Sequence, residues 1–146
     1  MSNNITIFGV GKLGVCFSLN LERVGYSVLG VDIHPKYVDS INTKTLKSSE
    51  DSVESMLTLA NNFTATTDVD QGLEFSDILF VLVATPSLDN GKYDHSQIDR
   101  LANQLIKQGR QETTKELIIG CTTMPGYCDD LQARLERYNY NVSYNP

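Results

Sequence analysis

Three glycines near the start of the chain have the spacing G-x-G-x-x-G, between an apolar run and a segment of helical periodicity. They belong to the segment Gly9-Val10-Gly11-Lys12-Leu13-Gly14. The first glycine permits a tight turn, the second lets the backbone approach a pyrophosphate, and the third lets a helix pack closely on a strand. Free N–H groups at the start of that helix can then bind phosphate oxygens. The segment predicts a dinucleotide site, with a glycine turn that binds nothing as the alternative.

An acidic residue, Asp32, follows the second apolar run. Its distance from Gly14 is close to the spacing of about 20 residues expected for an acid that binds ribose. A carboxylate there would accept hydrogen bonds from the 2′-hydroxyl of an adenosine ribose and would repel a 2′-phosphate. NAD is therefore predicted in preference to NADP. A cap on the following turn is the alternative role for the same side chain.

Two later loops carry hydroxyl groups at the ends of apolar runs. The first is Val83-Ala84-Thr85-Pro86, and the second is Cys121-Thr122-Thr123-Met124-Pro125-Gly126. In a parallel sheet the carboxyl ends of the strands form the crevice in which ligands bind, so that Thr85 and Thr122 could face a cofactor. Spacing alone favours a strand-ending turn for Thr85 and a helix cap for the second loop. The loops become cofactor candidates in combination with the glycine segment.

Apolar runs rich in β-branched residues alternate with segments of helical period. Buried strands are predicted at 5–10, 28–31, 78–83 and 117–119, and short edge strands at 63–65 and 141–143. Helices are predicted along the apolar face of Leu13, Phe17, Leu21 and Val24, over 35–41, 52–59 and 68–75, from a capping box of Asp94 and Gln97, and along Tyr127, Leu131 and Leu135. Residues 42–52 are expected to be the least regular. This alternation predicts the α/β class: a Rossmann-type doubly wound parallel sheet with helices on both faces.

Composition restricts the class of protein further. The 146 residues suit a single domain, residues 1–146, and their formal net charge of -6 disfavours nucleic acid and membranes as partners. The cysteines Cys16, Cys121 and Cys128 form neither a CxxC pair nor a disulfide framework, so a cytoplasmic setting is expected. With His34 and His95 as the two imidazoles, no metal site is predicted. We interpret both histidines as surface residues without an assigned role.

Taken in order, these segments resemble the UDP-glucose/GDP-mannose dehydrogenase family over essentially the whole chain. The glycine segment matches the family's glycine loop, Ala84-Thr85-Pro86 its P-T-P, the segment 121–126 its S-T-V-P-P-G, and Asn145-Pro146 the start of its N-P-E-F. The chain departs from the pattern at several positions. Serine is replaced by Cys121, prolines by Ala84 and Met124, and prolines and a glycine after Asn42 by Lys47, Asp51 and Ser52, whereas Glu50 is kept.

The resemblance implies a set of residues in contact with NAD. They are the glycine loop Gly9, Val10, Gly11, Lys12, Leu13 and Gly14, the acid Asp32, the later loop residues Ala84, Thr85, Pro86, Cys121 and Thr122, and, as weaker candidates after the acid, Lys36 and Tyr37. It also implies that Thr122 helps to position a water molecule. A solvated helix charge is the favoured alternative for Lys36.

The resemblance further implies an oxidoreductase that converts the C6 alcohol of a nucleotide sugar to a carboxylate with two NAD, through a thioester on a cysteine later in the family's chain. We expect residues 1–146 to be the cofactor domain of a longer enzyme, which binds its nucleotide-sugar substrate through a C-terminal part and is homo-oligomeric when full length. The domain alone should bind NAD without turnover. Two alternatives are an NAD- or nucleotide-sensing regulatory module without catalysis, and a relative of 3-hydroxyacid or 6-phosphogluconate dehydrogenases.

Overall fold

The structure, a computed structural model, describes residues 3–146 as one parallel β-sheet with helices on both faces. The strands are β1 (Asn4–Phe8), β2 (Ser27–Val31), β3 (Phe63–Thr66), β4 (Ile78–Val81), β5 (Lys115–Ile119) and β6 (Tyr140–Tyr144). Their order in the sheet is β3-β2-β1-β4-β5-β6, and every neighbouring pair is parallel. The strand order reverses between β1 and β4, so the doubly wound fold predicted from the sequence is confirmed.

Each predicted helix is present. The helices are α1 (Lys12–Arg23), α2 (Pro35–Asn42), α3 (Val53–Leu59), α4 (Val69–Phe75), α5 (Ser96–Gln108) and α6 (Tyr127–Leu135), and a short 3-10 helix follows at Glu136–Tyr138. The segment between α2 and α3 contains no regular element, as predicted, although Leu46 within it is buried. The two short strands predicted at the edges, β3 and β6, occupy the two ends of the sheet.

Apolar side chains cover both faces of the sheet. On one face, α1, α2 and α3 bury a cluster that includes Ile7 and Leu19, and on the other face α4, α5 and α6 bury a cluster that includes Phe8 and Leu131. Ile7 and Phe8 are consecutive, and they lie in different clusters because side chains alternate along a strand. The sheet is therefore covered on both faces. The polar groups discussed below lie at the two ends of the strands. We call these the amino edge, where the strands begin, and the carboxyl edge, where they end.

The predicted apolar face of α1 is wrong in part. Leu13 and Val24 are 62% and 66% exposed, and the buried positions are instead Gly14, Val15, Ser18 and Leu19. Small residues allow the helix to lie close to the sheet, and the hydroxyl of Ser18 donates to the carbonyl of Gly14 at 2.7 Å, so its burial leaves no polar atom unpaired. The helix therefore faces the sheet with its small residues, which permit close packing at the glycine turn, and not with the more hydrophobic stripe that was predicted.

The predicted capping box at the start of α5 is also wrong. The helix begins at Ser96 after His95, and the carboxylate of Asp94 accepts a hydrogen bond from the amide of Ser96 at 2.8 Å. Such a bond to the second residue ahead is an Asx turn. Asp94 therefore lies before the N-cap of α5 and stabilises the turn that leads into the helix.

Candidate functional site

The glycine loop forms the turn between β1 and α1. Gly9 has a φ of +89°, and a Cβ there would lie 2.8 Å from the carbonyl oxygen of Leu82. A Cβ on Gly14 would collide with the carbonyl oxygen of Gly9. In contrast, no atom of residues 3–146 outside the local chain lies within 4 Å of a Cβ built on Gly11. The fold itself requires the outer two glycines, whereas the space beside Gly11 is open to a ligand.

The start of α1 is suited to an anion. Gly11 precedes the helix without a side-chain cap, and the first turn contains no acidic residue. The first N–H groups of a helix lack partners within the helix, and its dipole favours negative charge at this end. The open space beside Gly11 therefore adjoins backbone donors that can bind phosphate oxygens.

Asp32 directly follows β2, and its half-buried carboxylate contacts the glycine loop. One carboxylate oxygen accepts a hydrogen bond from the amide of Val10 at 3.2 Å, and the other accepts one from the amide of His34 at 3.1 Å. The bond to His34 is the turn cap that the sequence left as an alternative. An ionised carboxylate has about four acceptor positions, so the same group can also accept from a ribose hydroxyl. The two roles considered for Asp32 are compatible.

A cleft of about 380 Å³ opens beside the glycine loop at the carboxyl edge. Predicted site residues in its wall are Gly9, Gly11, Asp32 and Ala84. The other residues of the wall were not identified from the sequence as site residues: Phe8, Val31, Ile33, His34, Thr67, Val69, Leu82, Val83, Gln97, Arg100, Leu101 and Gln104. The residues from α5 in this set recur at helical spacing on the side of the helix that faces the cleft. That spacing can be recognised in the sequence, but only the fold shows that this face of α5 lines the cleft.

Lys12 of the glycine loop pairs with Glu50 from the irregular segment between α2 and α3. The Lys12 Nζ lies 2.5 Å from a carboxylate oxygen of Glu50, and this hydrogen bond, with the added charge attraction, raises the pKa of Lys12. Both side chains are solvent-exposed, so the pair contributes little to stability. It does bring the segment that departs most from the family pattern next to the glycine loop.

The remaining predicted contacts lie outside the cleft wall. Thr85 and Cys121 are half-buried after β4 and β5, and Thr122 is exposed beside Cys121. Burial raises the pKa of the Cys121 thiol, which keeps it protonated near neutral pH. Pro86 accepts a hydrogen bond from the amide of Asp94 at 2.8 Å through its carbonyl. These residues belong to the loops that follow the neighbouring strands β4 and β5 at the carboxyl edge.

Lys36 and Tyr37 occupy the first turn of α2. Lys36 is exposed, and neither residue is part of the cleft wall. Tyr37 is half-buried against the core beneath α1, and burial, together with the nearby charge of Asp32, raises its pKa. The geometry thus favours a packing role for Tyr37.

The interpretation of the two histidines as surface residues holds for His34 and is wrong for His95. His34 is exposed and lines the cleft beside Asp32. His95 is half-buried, and its Nε2 accepts a hydrogen bond from the amide of Met124 at 3.1 Å. Polar neighbours in the sequence suggested exposure, whereas the partner of His95 is distant in the chain.

Residues 3–146 contain neither a metal-ligand cluster nor a helix that could span a membrane. No group of three or more His, Cys, Asp and Glu side chains is arranged to hold a metal ion in this part of the chain. None of its helices combines the length and the apolar character needed to cross a bilayer.

The doubly wound sheet, the glycine loop at its first crossover and the acid after the second strand define a dinucleotide-binding domain of the Rossmann type. The chain belongs to the UDP-glucose/GDP-mannose dehydrogenase family, because the model of that family's NAD binding domain matches residues 3–146. The resemblance inferred from the sequence is confirmed. Membership in a dehydrogenase family does not favour the regulatory alternative.

Individual relatives agree with the family. The chain is 26% identical to the GDP-mannose 6-dehydrogenase of Pseudomonas aeruginosa over 154 aligned positions, which cover 97% of this chain and 35% of the relative. It is 26% identical to the UDP-glucose 6-dehydrogenase of Bacillus subtilis, over 88% of this chain and 29% of the relative. The chain therefore spans about a third of the length of the curated relatives it matches.

A solved structure agrees as well. A ternary complex of the GDP-mannose dehydrogenase from Pseudomonas aeruginosa superimposes with a TM-score of 0.86 at 25% identity, over 97% of this chain and 35% of that one. The fold of this chain is thus that of the cofactor domain of a family enzyme.

Proposed function

We propose that this chain holds NAD for a nucleotide-sugar 6-dehydrogenase, with residues 1–146 acting as the cofactor domain. The observation that carries the proposal is the contact between the Asp32 carboxylate and the amide of Val10. This hydrogen bond supports the proposal because it joins the acid proposed to bind ribose to the loop proposed to bind phosphate. A diphosphate beside Gly11 and an adenosine ribose beside Asp32 would then occupy adjacent positions.

The chemistry of the cleft supports an adenosine end for this site. Its wall contains the polar side chains Gln97, Arg100 and Gln104, together with apolar side chains that include Ile33 and Leu101. A purine ring has apolar faces and a polar edge, and an arginine can stack on such a ring. The negative charge of Asp32 at the ribose position disfavours a 2′-phosphate, so NAD is the expected form of the cofactor.

The loops after β4 and β5 would border the nicotinamide end. NAD, when bound, supplies the hydride acceptor for oxidation of an alcohol. In this proposal Thr85 and Thr122 orient the cofactor and a water molecule with their hydroxyls, Ala84 and Pro86 shape the loop after β4, and Cys121 packs as a neutral thiol. The raised pKa of Cys121 supports that packing role over a role as nucleophile.

The proposed substrate is inferred from the relatives of this chain and not from contacts within the cleft. Relatives with this domain are called GDP-mannose 6-dehydrogenase and UDP-glucose 6-dehydrogenase, and they are about three times as long as the aligned segment. We propose that a nucleotide sugar oxidised at C6 is the substrate, bound through a further part of the full-length protein. Homo-oligomerisation of the full-length protein and a cytoplasmic setting belong to the same proposal.

Isothermal titration calorimetry with NAD and NADP tests the cofactor assignment. We expect the chain to bind NAD at least about tenfold more tightly than NADP, and Asp32→Ala to narrow that preference by weakening NAD and relieving the repulsion of NADP. Glu112→Ala is a matched control, because it removes the same charge from an exposed loop at the amino edge. Equal affinity of the unaltered chain for both cofactors would refute the assignment.

A further inference from the structure

His95 connects two segments that meet at the carboxyl edge. It precedes α5, and its Nε2 accepts a hydrogen bond from the amide of Met124, in the loop between β5 and α6. Its ring packs against the ring of Tyr127, with the two centroids 3.9 Å apart. The same loop carries Cys121 and Thr122, which the proposed function places near the cofactor.

The other hydrogen bonds from this loop to side chains are weaker. The amide of Thr123 lies 3.5 Å from the hydroxyl of Tyr144, at the limit of a hydrogen bond, and the Thr123 hydroxyl lies 3.8 Å from the Cys128 sulfur. The bond from Met124 to His95 is 3.1 Å long. Proline occupies the position of Met124 in the motif that this loop resembles, and proline has no N–H to donate. The departure at 124 thus supplies the donor that His95 accepts.

Acceptance at Nε2 requires the neutral imidazole with its proton on Nδ1. The hydrogen bond therefore fixes which ring nitrogen faces the loop.

The stacking partner of His95 is itself fixed. The hydroxyl of Tyr127 donates to a carboxylate oxygen of Asp99 at 3.0 Å, and Arg134 donates to the same oxygen at 2.7 Å. Burial and the hydrogen bond to Asp99 raise the pKa of Tyr127, so its hydroxyl stays protonated. The imidazole therefore packs on a ring that keeps its place across the physiological pH range.

We propose that His95 is a positioning residue of the cofactor site: its imidazole holds the loop 121–126 at Met124 in the arrangement that binds NAD. The proposal rests on the proposed function, because the loop matters to binding only if NAD occupies the site. It assigns a role to two residues outside the cleft wall.

Two substitutions separate the hydrogen bond from the ring packing. His95→Gln keeps an acceptor at the reach of Nε2 and loses the ring, whereas His95→Phe keeps a ring on Tyr127 and loses the acceptor. Without cofactor, we expect hydrogen exchange of the Met124 amide to accelerate about tenfold in His95→Phe and to change little in His95→Gln. By calorimetry, NAD affinity should fall about three- to tenfold in His95→Phe and remain close to that of the unaltered chain in His95→Gln.

Rescue by the conservative variant gives a readout that loss of packing alone would not move. His95→Gln lacks the ring but keeps an acceptor, so it should restore both the protection of the Met124 amide and the affinity for NAD that His95→Phe loses.

The outcomes are distinct. A Met124 amide that is equally protected in His95→Phe, or an NAD affinity of His95→Phe equal to that of the unaltered chain, would overturn the positioning role. Absence of NAD binding in every variant, with Met124 exchange still dependent on the acceptor at 95, would instead refute the proposed function and leave the structural half of the inference standing.

Discussion

The two edges of the sheet use polar residues in opposite ways. At the amino edge, the buried Lys115 donates to the carbonyls of Leu73 and Ser76 at 2.6 and 3.0 Å, and to the carboxylate of Asp77 at 2.8 Å. The Ser76 hydroxyl donates to the carbonyl of Asn4 at 2.6 Å. At this edge, polar groups from separate elements bind one another.

At the carboxyl edge, polar groups stay available. The backbone donors at the start of α1 have no side-chain cap, and Asp32 accepts from backbone amides with acceptor capacity to spare. The cleft beside them has a volume of about 380 Å³. Similar polar groups therefore stabilise the fold at one edge and remain available to a ligand at the other. The difference between the two edges is whether the protein itself supplies every hydrogen-bond partner.

The largest effect should follow from removal of the central donor at the amino edge. Lys115→Met keeps an apolar stem of similar length but leaves two buried carbonyls without their side-chain donor. We expect the free energy of unfolding in urea to fall by about 3 kcal/mol, with NAD affinity of the folded protein unchanged. Lys92→Met is the control, because Lys92 is exposed, and it should change stability by less than about 0.5 kcal/mol.

The same variant has a signature in its pH dependence. Hydrogen bonds from Lys115 and Thr113 hold the pKa of Asp77 below its ordinary value of 3.8. A lowered folded-state pKa contributes stability that is present above the unfolded-state pKa and is lost as pH falls through the folded-state value. The stability difference between the unaltered chain and Lys115→Met should therefore narrow below about pH 4. A difference that stays constant would show that Asp77 takes no part in it.

An intermediate effect is expected for alanine substitutions in the glycine loop, and it should differ between Gly11 and Gly14. The methyl group of Gly11→Ala would contact no atom of residues 3–146 outside the local chain, so stability should be unchanged. The same methyl group would occupy the space proposed for the diphosphate, so NAD affinity should fall about tenfold or more by calorimetry. Gly14→Ala collides with the backbone of Gly9 and should lower both stability and affinity. Undiminished NAD binding by Gly11→Ala would contradict the placement of the diphosphate.

Local sequence patterns were sufficient for the parts of the molecule that depend on neighbours in the chain. The strands, the helices, the glycine turn and the position of Asp32 follow from periodicity and short motifs. Partners distant in sequence could not be predicted. Lys115 and His95 each bind groups about 30 or more positions away, and no nearby residue signals their burial. Arg100 lies on a helix face whose counterpart is fixed only by the strand order.

The smallest effect is expected at Tyr140, a residue of the amino edge whose buried polar group is not paired within residues 3–146. Tyr140 begins β6 opposite Lys115, and its buried hydroxyl has no hydrogen-bond partner among residues 3–146. Burial raises the pKa of Tyr140 to about 12, so the hydroxyl stays protonated at neutral pH. Tyr140→Phe removes this unpaired group without altering the ring, and the free energy of unfolding should rise by up to about 1 kcal/mol.

Tyr138→Phe supplies the matched control, because the Tyr138 hydroxyl accepts a hydrogen bond from Arg137 at 3.0 Å and lies in an exposed pair. Its removal should leave stability nearly unchanged or slightly lower. If Tyr140→Phe instead lowered stability by about 1 kcal/mol or more, a bound water molecule would have to serve the hydroxyl. The amino edge would then be satisfied throughout, and its contrast with the carboxyl edge would be sharper than the protein contacts alone indicate.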